Sequence, residues 1–380
     1  MGLLVATMAG GVAHTLLTWP QGAPTSTVWF WMRLVVMPFL AWCVLFGLRT
    51  LYYEQENERI DAEEEVMRAD RAEALQFGSD PLAVVGLTYL TGAGNQGVSQ
   101  RWTQTDGLQE GPDAASEAAL RPEITLSLAG DDEDPTRYRA CFKDLIDAVA
   151  NMVSAIPADV PFSVRLALPE GEGRQAQLDS WQACWCAKGL RTAKAALVPT
   201  ETGVMALDAW LDQKGGPQLE NFTLFVAVGL RDTPSSEVAE AAVALLLGWA
   251  PLAKRRRLKS IALLHRPVEE GVQTPESAMT TSLQWGCTTP DKVEDVWQVG
   301  LDAIDKTAIA DRLGNLSFGV SQTPGLSGVH DLDSELGRQG VAGGWLALAL
   351  GIEHAAQAKR PQWVAWREGT LRFAIIQSIA

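Results

Sequence analysis

The residues in this chain that are capable of chemistry are few, and their spacing decides what each could do. Ser327, His330 and Asp331 lie within five positions in the loop TPGLSGVHDLD. A Ser-His-Asp relay needs side chains that converge from different elements, which sequential neighbours seldom achieve. Gly325-Leu-Ser327-Gly328 also stops short of a GxSxG elbow, because Val329 stands where the last glycine belongs. The loop is the best place in the chain for an active site, yet its spacing assigns no catalytic residue.

Gly92-Ala-Gly94-Asn-Gln-Gly97 matches GxGxxG directly after an expected strand. In a dinucleotide site those glycines open a helix whose N-terminus holds the pyrophosphate. The residues that follow, VSQRWTQTDG, have no apolar helical face. The segment therefore reads as a flexible loop, and no cofactor is expected. Cys184 and Cys186 have no further ligands at zinc spacing, so they read as structural thiols in a partly buried helix, with no metal site. Cys141 and Cys287 stand apart, and Cys43 lies in an apolar run. An odd number of cysteines so placed suits a reducing compartment.

Two features point to contact with other molecules. Lys254, Arg255, Arg256 and Arg257 form the strongest basic run in an acidic chain, after an expected helix from 235 to 249. Cations near a helix C-terminus are favourable in themselves, and such a run also suits anionic headgroups or an acidic partner. Trp363 and Trp366 lie in an expected closing strand, where at least one is expected to face a partner. The acidic run Asp131 to Asp134 is expected to serve the N-terminus of a following helix.

These residues must be positioned by the 380-residue chain, which carries a net charge of -15 and 47% hydrophobic residues. That charge excludes general nucleic-acid binding. Residues 28–48 are apolar apart from Arg33 and are long enough to span a bilayer as a helix. Residues 2–17 form a second apolar stretch, joined through WPQGAPTST, and the pair is expected to make a helical hairpin. No Lys or Arg precedes Arg33, whereas Arg49, Arg59, Arg68 and Arg71 follow it. The positive-inside rule then places the C-terminal part in the cytoplasm. Residues 52–77 lack Gly and Pro and are expected to continue as a charged helix.

The expected organisation is an anchor at 1–50, a juxtamembrane helix at 51–80 and an α/β domain at 81–380. Strands are expected at 82–91, 123–128, 162–168, 193–198, 222–230, 260–265, 316–320, 362–367 and 370–377. Helices are expected at 136–156, 175–188, 235–249, 292–305 and 336–358. LAVVGL at 82–87 echoes VAVGL at 226–230, which suggests duplication into halves 81–218 and 219–380.

The element order and the segment from Leu336 to Gln377 resemble the thiolase-like fold, a layered αβαβα arrangement of two βαβαβαββ halves. Condensing enzymes of that class carry a similar Gly-rich helix start, an Ala/Leu helix and a closing hairpin. In them Gly-His precedes the helix start, where this chain has Asp333 and Ser334, and a cysteine elbow lies in the first half, where this chain has none. The resemblance implies the fold with its chemistry lost. The anchor and flank, WFWMRLVVMPFLAWCVLFGLRTLYYEQENERI, are similar to lipase-effector adaptors of bacterial type VI secretion clusters. That resemblance implies a non-enzymatic adaptor whose partner is a secreted effector or a spike component. Two alternatives stay open. One is an immunity protein against a membrane-active toxin. The other is a divergent acyl-transfer enzyme using Cys141, Cys184, Cys186 or Cys287.

Overall fold

The structure, a computed structural model, describes residues 2–105, 123–126, 137–213, 219–231, 239–271 and 274–379. The chain divides into two compact units, Met1–Ala74 and Leu75–Ala380.

In the first unit, helix α1 (Gly2–Thr18) folds back on helix α2 (Val28–Ser79), as the hairpin reading expects. Gly11 lets the Pro38 ring pack where a Cβ would stand. The Thr15 hydroxyl lies 2.8 Å from the Gly11 carbonyl and 3.2 Å from that of Arg33. Arg33 sits in a π-helical turn, Met32–Val36, and Trp19 meets Phe30 edge-on at 4.9 Å. By length and composition α2 can cross a membrane, whereas α1 is apolar but shorter.

Among its described residues, the second unit is built on eleven strands. In the first half these are β1 (Leu82–Thr91), β2 (Phe162–Ala167), β3 (Ala195–Leu197), β4 (Phe222–Gly229) and β5 (Ala241–Trp249). In the second they are β6 (Ala262–Leu264), β7 (Val268–Glu269), β8 (Asp295–Val299), β9 (Val329–Asp331), β10 (Gln362–Glu368) and β11 (Thr370–Ser378). The order is β3-β2-β4-β5-β1-β6-β11-β10-β8-β9, with β7 against β11. The two halves mirror each other. In each, the two outermost pairings are parallel and the next two antiparallel. They meet where Leu82–Val84 pairs antiparallel with Ala262–Leu264.

Parallel neighbours require helical crossovers, and these make the layers. Helices α3 (Arg137–Ser154) and α4 (Arg174–Ala187) cover the outer face of the first half. Helices α5 (Pro275–Trp285) and α6 (Ala303–Asn315) cover that of the second. Between the halves lies helix α7 (Gly343–Ala358), almost wholly buried, so its GGWLALALGI start is apolar all round. This is the expected thiolase-like arrangement. Strand β4 shows why its sequence runs apolar without alternation: Phe225 and Ala227 face the central layer, and Leu224, Val226 and Val228 the outer one.

Several expected elements are corrected. Of the helix placed at 235–249, residues 241–249 are β5, whose AAVALLLGW is buried on both faces between β4 and β1. Its Ala and Leu favour helix only in the absence of such neighbours. The helix placed at 292–305 is β8 followed by α6, which begins where Asp302 caps the Asp305 N–H at 2.8 Å. Residues 316–320 turn into a 3-10 helix and form no strand, and residues 123–126 form none either. The long helix placed at 336–358 starts only at Gly343. Helix α5 was not anticipated. The acidic run at 131–134 lies outside the described residues.

Duplication is present, but the halves divide between Trp249 and Ala262, not at 218/219. The echo at 82–87 and 226–230 joins β1 to β4, which are not equivalent strands. It reflects only what any doubly buried strand needs.

His265 follows β6 and is 3% exposed. Burial lowers its pKa from the ordinary 6.5. Below 6.5 the unfolded chain therefore binds a proton that the fold refuses, so stability rises with pH up to about 6.5 and is flat above it. The melting temperature of the intact protein should fall between pH 7.5 and 5.5, and His265→Asn should shrink that fall. An identical fall in both proteins would contradict this.

Candidate functional site

The halves meet around the starts of two central helices. One is α7; its counterpart is a 3-10 turn, Gly203–Met205, running into α8 (Ala206–Leu211). The carboxylate of Glu368, at the end of β10, stands between them. The Val204 N–H donates to its Oε2 at 3.2 Å and Arg372 donates at 2.6 Å. A Cβ on Gly203, whose φ is +50°, would strike this carboxylate, and one on Gly344 would lie 2.9 Å from Oε1. Arg372 also donates to the carbonyls of Thr202 and Glu201, so the start of the first-half helix is tied down by an internal ion pair. Burial raises the Glu368 pKa, against the lowering effect of Val204 and Arg372.

Beside the start of α7 opens a cleft of about 260 Å³, bordered by Gly300, Asp333, Arg338, Gln339, Gly343 and Glu368. Asp333 accepts the Gly300 N–H at 2.7 Å, and burial raises its pKa too. Two carboxyl groups, Glu368 paired with Arg372 and Asp333 accepting the Gly300 N–H, thus share one cleft with the Arg338 guanidinium and a helix N-terminus. A guanidinium and backbone N–H groups donate hydrogen bonds, which is what a polarised carbonyl oxygen requires.

None of the cysteines borders this cleft. Cys141 and Cys184 are buried in the outer layer of the first half, and burial pushes the Cys141 thiol far up. Cys186 and Cys287 are exposed.

The loop singled out in the sequence reaches a second cleft, of about 320 Å³, which Ser327, His330 and His354 border. The carboxylate there is Asp295, at the start of β8, and not Asp331. Asp295 lies 3.0 Å from His330 Nε2 and 3.2 Å from His354 Nε2. Burial raises its pKa, but the two imidazoles more than offset this and hold it far below the ordinary range. The Trp297 ring stands 4.4 Å from that of His330. Asp331 instead binds Lys306 and Ser334, each at 2.6 Å. Asp295 and His354 were missed because they are 35 and 59 positions from their partners and carry no local signal.

The GxGxxG segment is a structured turn, not a flexible loop, and it opens helix α9 (Val98–Thr105). The position a pyrophosphate would need is taken by Glu353 of α7. Glu353 accepts hydrogen bonds from the N–H groups of Gly97 and Ser99, at 2.9 and 3.2 Å, and from the Ser99 hydroxyl at 2.6 Å. The Tyr89 hydroxyl donates a fourth at 2.9 Å. An internal carboxylate therefore serves this helix N-terminus.

Of the basic run, Arg255 pairs with Glu220 and Arg256 with Asp159, the latter at 2.7 Å. Lys254 and Arg257 are exposed. Trp363 and Trp366 are both fully buried, so neither is presented to a partner. Three positions apart on a strand, they point to opposite faces. Trp363 stacks on Phe373 and donates to Ser282 at 3.0 Å in the outer layer, whereas Trp366 joins the central one.

No protein-family model and no curated protein matches this sequence. Among solved structures the fold is similar to a ketosynthase from module 1 of the bacillaene synthase of Bacillus amyloliquefaciens. The identity is 12% and the TM-score 0.56, covering 80% of this chain and 77% of that one. It is also similar to an oxazolomycin ketosynthase domain of Streptomyces albus, with 14% identity and a TM-score of 0.54 over 79% of this chain and 96% of that one. A beta-ketoacyl synthase from Burkholderia phymatum matches at 15% identity and a TM-score of 0.51, over 79% of this chain and all of that one. These likenesses carry the thiolase-like fold. They overturn the expected non-enzymatic adaptor, because the similar structures are biosynthetic enzymes, and no match supports a type VI secretion role.

Proposed function

We propose that this protein is a divergent thiolase-fold protein that binds an acyl thioester in the cleft at the start of α7 and polarises its carbonyl without a cysteine nucleophile. The observation that carries this reading is the convergence of the Arg338 guanidinium and the uncapped α7 N-terminus on one cleft, beside the carboxyl groups of Asp333 and Glu368. The absence of every cysteine from that cleft supports the cysteine-free part. In this reading the anchor at 28–48 holds the domain at the cytoplasmic face of a bacterial inner membrane, which the arginine asymmetry supports.

The test is titration of the intact protein with octanoyl-pantetheine, followed by mass spectrometry of the protein. Saturable binding without a mass increase is expected. Asp333→Ala and Arg338→Ala should each weaken binding about tenfold, the worth of one hydrogen bond to a charged or buried group. A variant with Cys141, Cys184, Cys186 and Cys287 all changed to Ser should bind like the wild type. An acyl adduct on any cysteine, or no binding at all, would overturn the reading.

A further inference from the structure

The duplication exposes a difference between the halves that creates a second binding cleft. The central helix of the second half has 16 residues, whereas its counterpart α8 has six. Among the described residues, the central-layer face of β2 and β4 beyond α8 opens as a cleft of about 520 Å³. Its walls are Phe225, Trp210, Ala206 and Leu197.

Among the described residues, three polar groups in this cleft lack complements. The Asn221 amide N–H groups donate to Ser163 at 2.9 Å and Thr223 at 3.3 Å, which leaves its carbonyl oxygen buried without a partner. The carbonyl oxygen of Gln213 is likewise buried and unpaired. A buried acceptor left unpaired is costly, so a donor that reaches it gains the full difference. Arg165 on β2 is exposed at the cleft and meets no carboxylate among the described residues. Arg165 lies opposite Phe225, four positions beyond Asn221, which is roughly 13 Å along the strands.

We infer that this cleft binds an elongated aliphatic acid bearing a hydrogen-bond donor at its far end. The carboxylate pairs with Arg165, the chain lies along the touching rings of Trp210 and Phe225, and a terminal hydroxyl donates its one proton to the Asn221 carbonyl oxygen. The volume falls in the range of small-molecule sites. This cleft is separate from the one at the start of α7 and does not rest on the thioester reading.

The experiment is calorimetric titration of the full chain in lipid nanodiscs with ω-hydroxydecanoate and with decanoate, subtracting protein-free nanodiscs. The hydroxy acid is expected to bind about tenfold more tightly, as one hydrogen bond to a buried acceptor requires. Arg165→Gln should weaken both acids, and Asn221→Leu should abolish the preference for the hydroxy acid. Asp333→Ala should change neither, so failure of the thioester reading leaves this one standing. Equal affinities for the two acids, or an unchanged preference in Asn221→Leu with wild-type circular dichroism, would overturn the inference.

Discussion

Replacing Glu240 by alanine should destabilise the large unit by about 3 kcal/mol, the lower end of the cost of breaking a buried ion pair. Glu240 is 2% exposed and takes four hydrogen bonds: two from Arg137, at 2.6 and 2.7 Å, and one each from the N–H groups of Ile124 and Arg231, both at 3.0 Å. Its loss would leave the buried Ile124 N–H and the half-buried Arg231 N–H without their acceptor and untie the segments at residues 124, 137 and 231. Arg137 is partly exposed and can rehydrate, which is why the lower end applies. Burial raises the Glu240 pKa, but Arg137 and the two N–H groups hold it below its ordinary 4.5. A depressed carboxylate stabilises the fold above its unfolded pKa, and that contribution is lost as pH falls through the folded value. Urea unfolding should therefore show the full difference at pH 7 and a shrinking one below pH 4.5. Equal unfolding midpoints at pH 7 would refute the assignment.

Glu353→Ala should release helix α9 at a cost of about 2 kcal/mol or more, because several donors lose their acceptor together. The Tyr89 hydroxyl and the Ser99 N–H are among them. Trp102 on that helix stands 6.2 Å from Trp297, so its fluorescence should shift to the red when the helix detaches. Chemical rescue gives a sharper test. With the carboxylate gone, the N-terminus of α9 regains the capacity to hold a small anion. Sulfate should then raise the melting temperature of Glu353→Ala more than that of the wild type. Equal responses to sulfate would show that Glu353 is not the internal anion of this turn.

Which features were legible in the sequence follows from the range of the interactions behind them. The apolar run at 28–48 declares itself by length and composition, because every residue of a spanning helix meets the same solvent. The closing hairpin, β10 and β11, and the helices Arg137–Ser154 and Arg174–Ala187 were readable from local periodicity and punctuation. The layered duplicated class followed from the order of such elements. Strand β5 was not readable, since a doubly buried Ala/Leu run has the same local pattern in a strand as in a helix, and only pairing with β4 and β1 decides between them.

The sites were less legible still. Asp295 with His330 and His354, Glu353 at the GxGxxG turn, and Glu368 at Gly203 are partnerships across 35 to 256 residues. The mirrored order of the two half-sheets, and not any motif, brings those side chains together. The sequence alone determined that this protein has a membrane-length apolar helix and a layered α/β unit. Tertiary structure decided which carboxylate faces which imidazole, which helix N-terminus is already occupied and where a shortened helix leaves a cleft, because each depends on contacts between residues that share no local pattern.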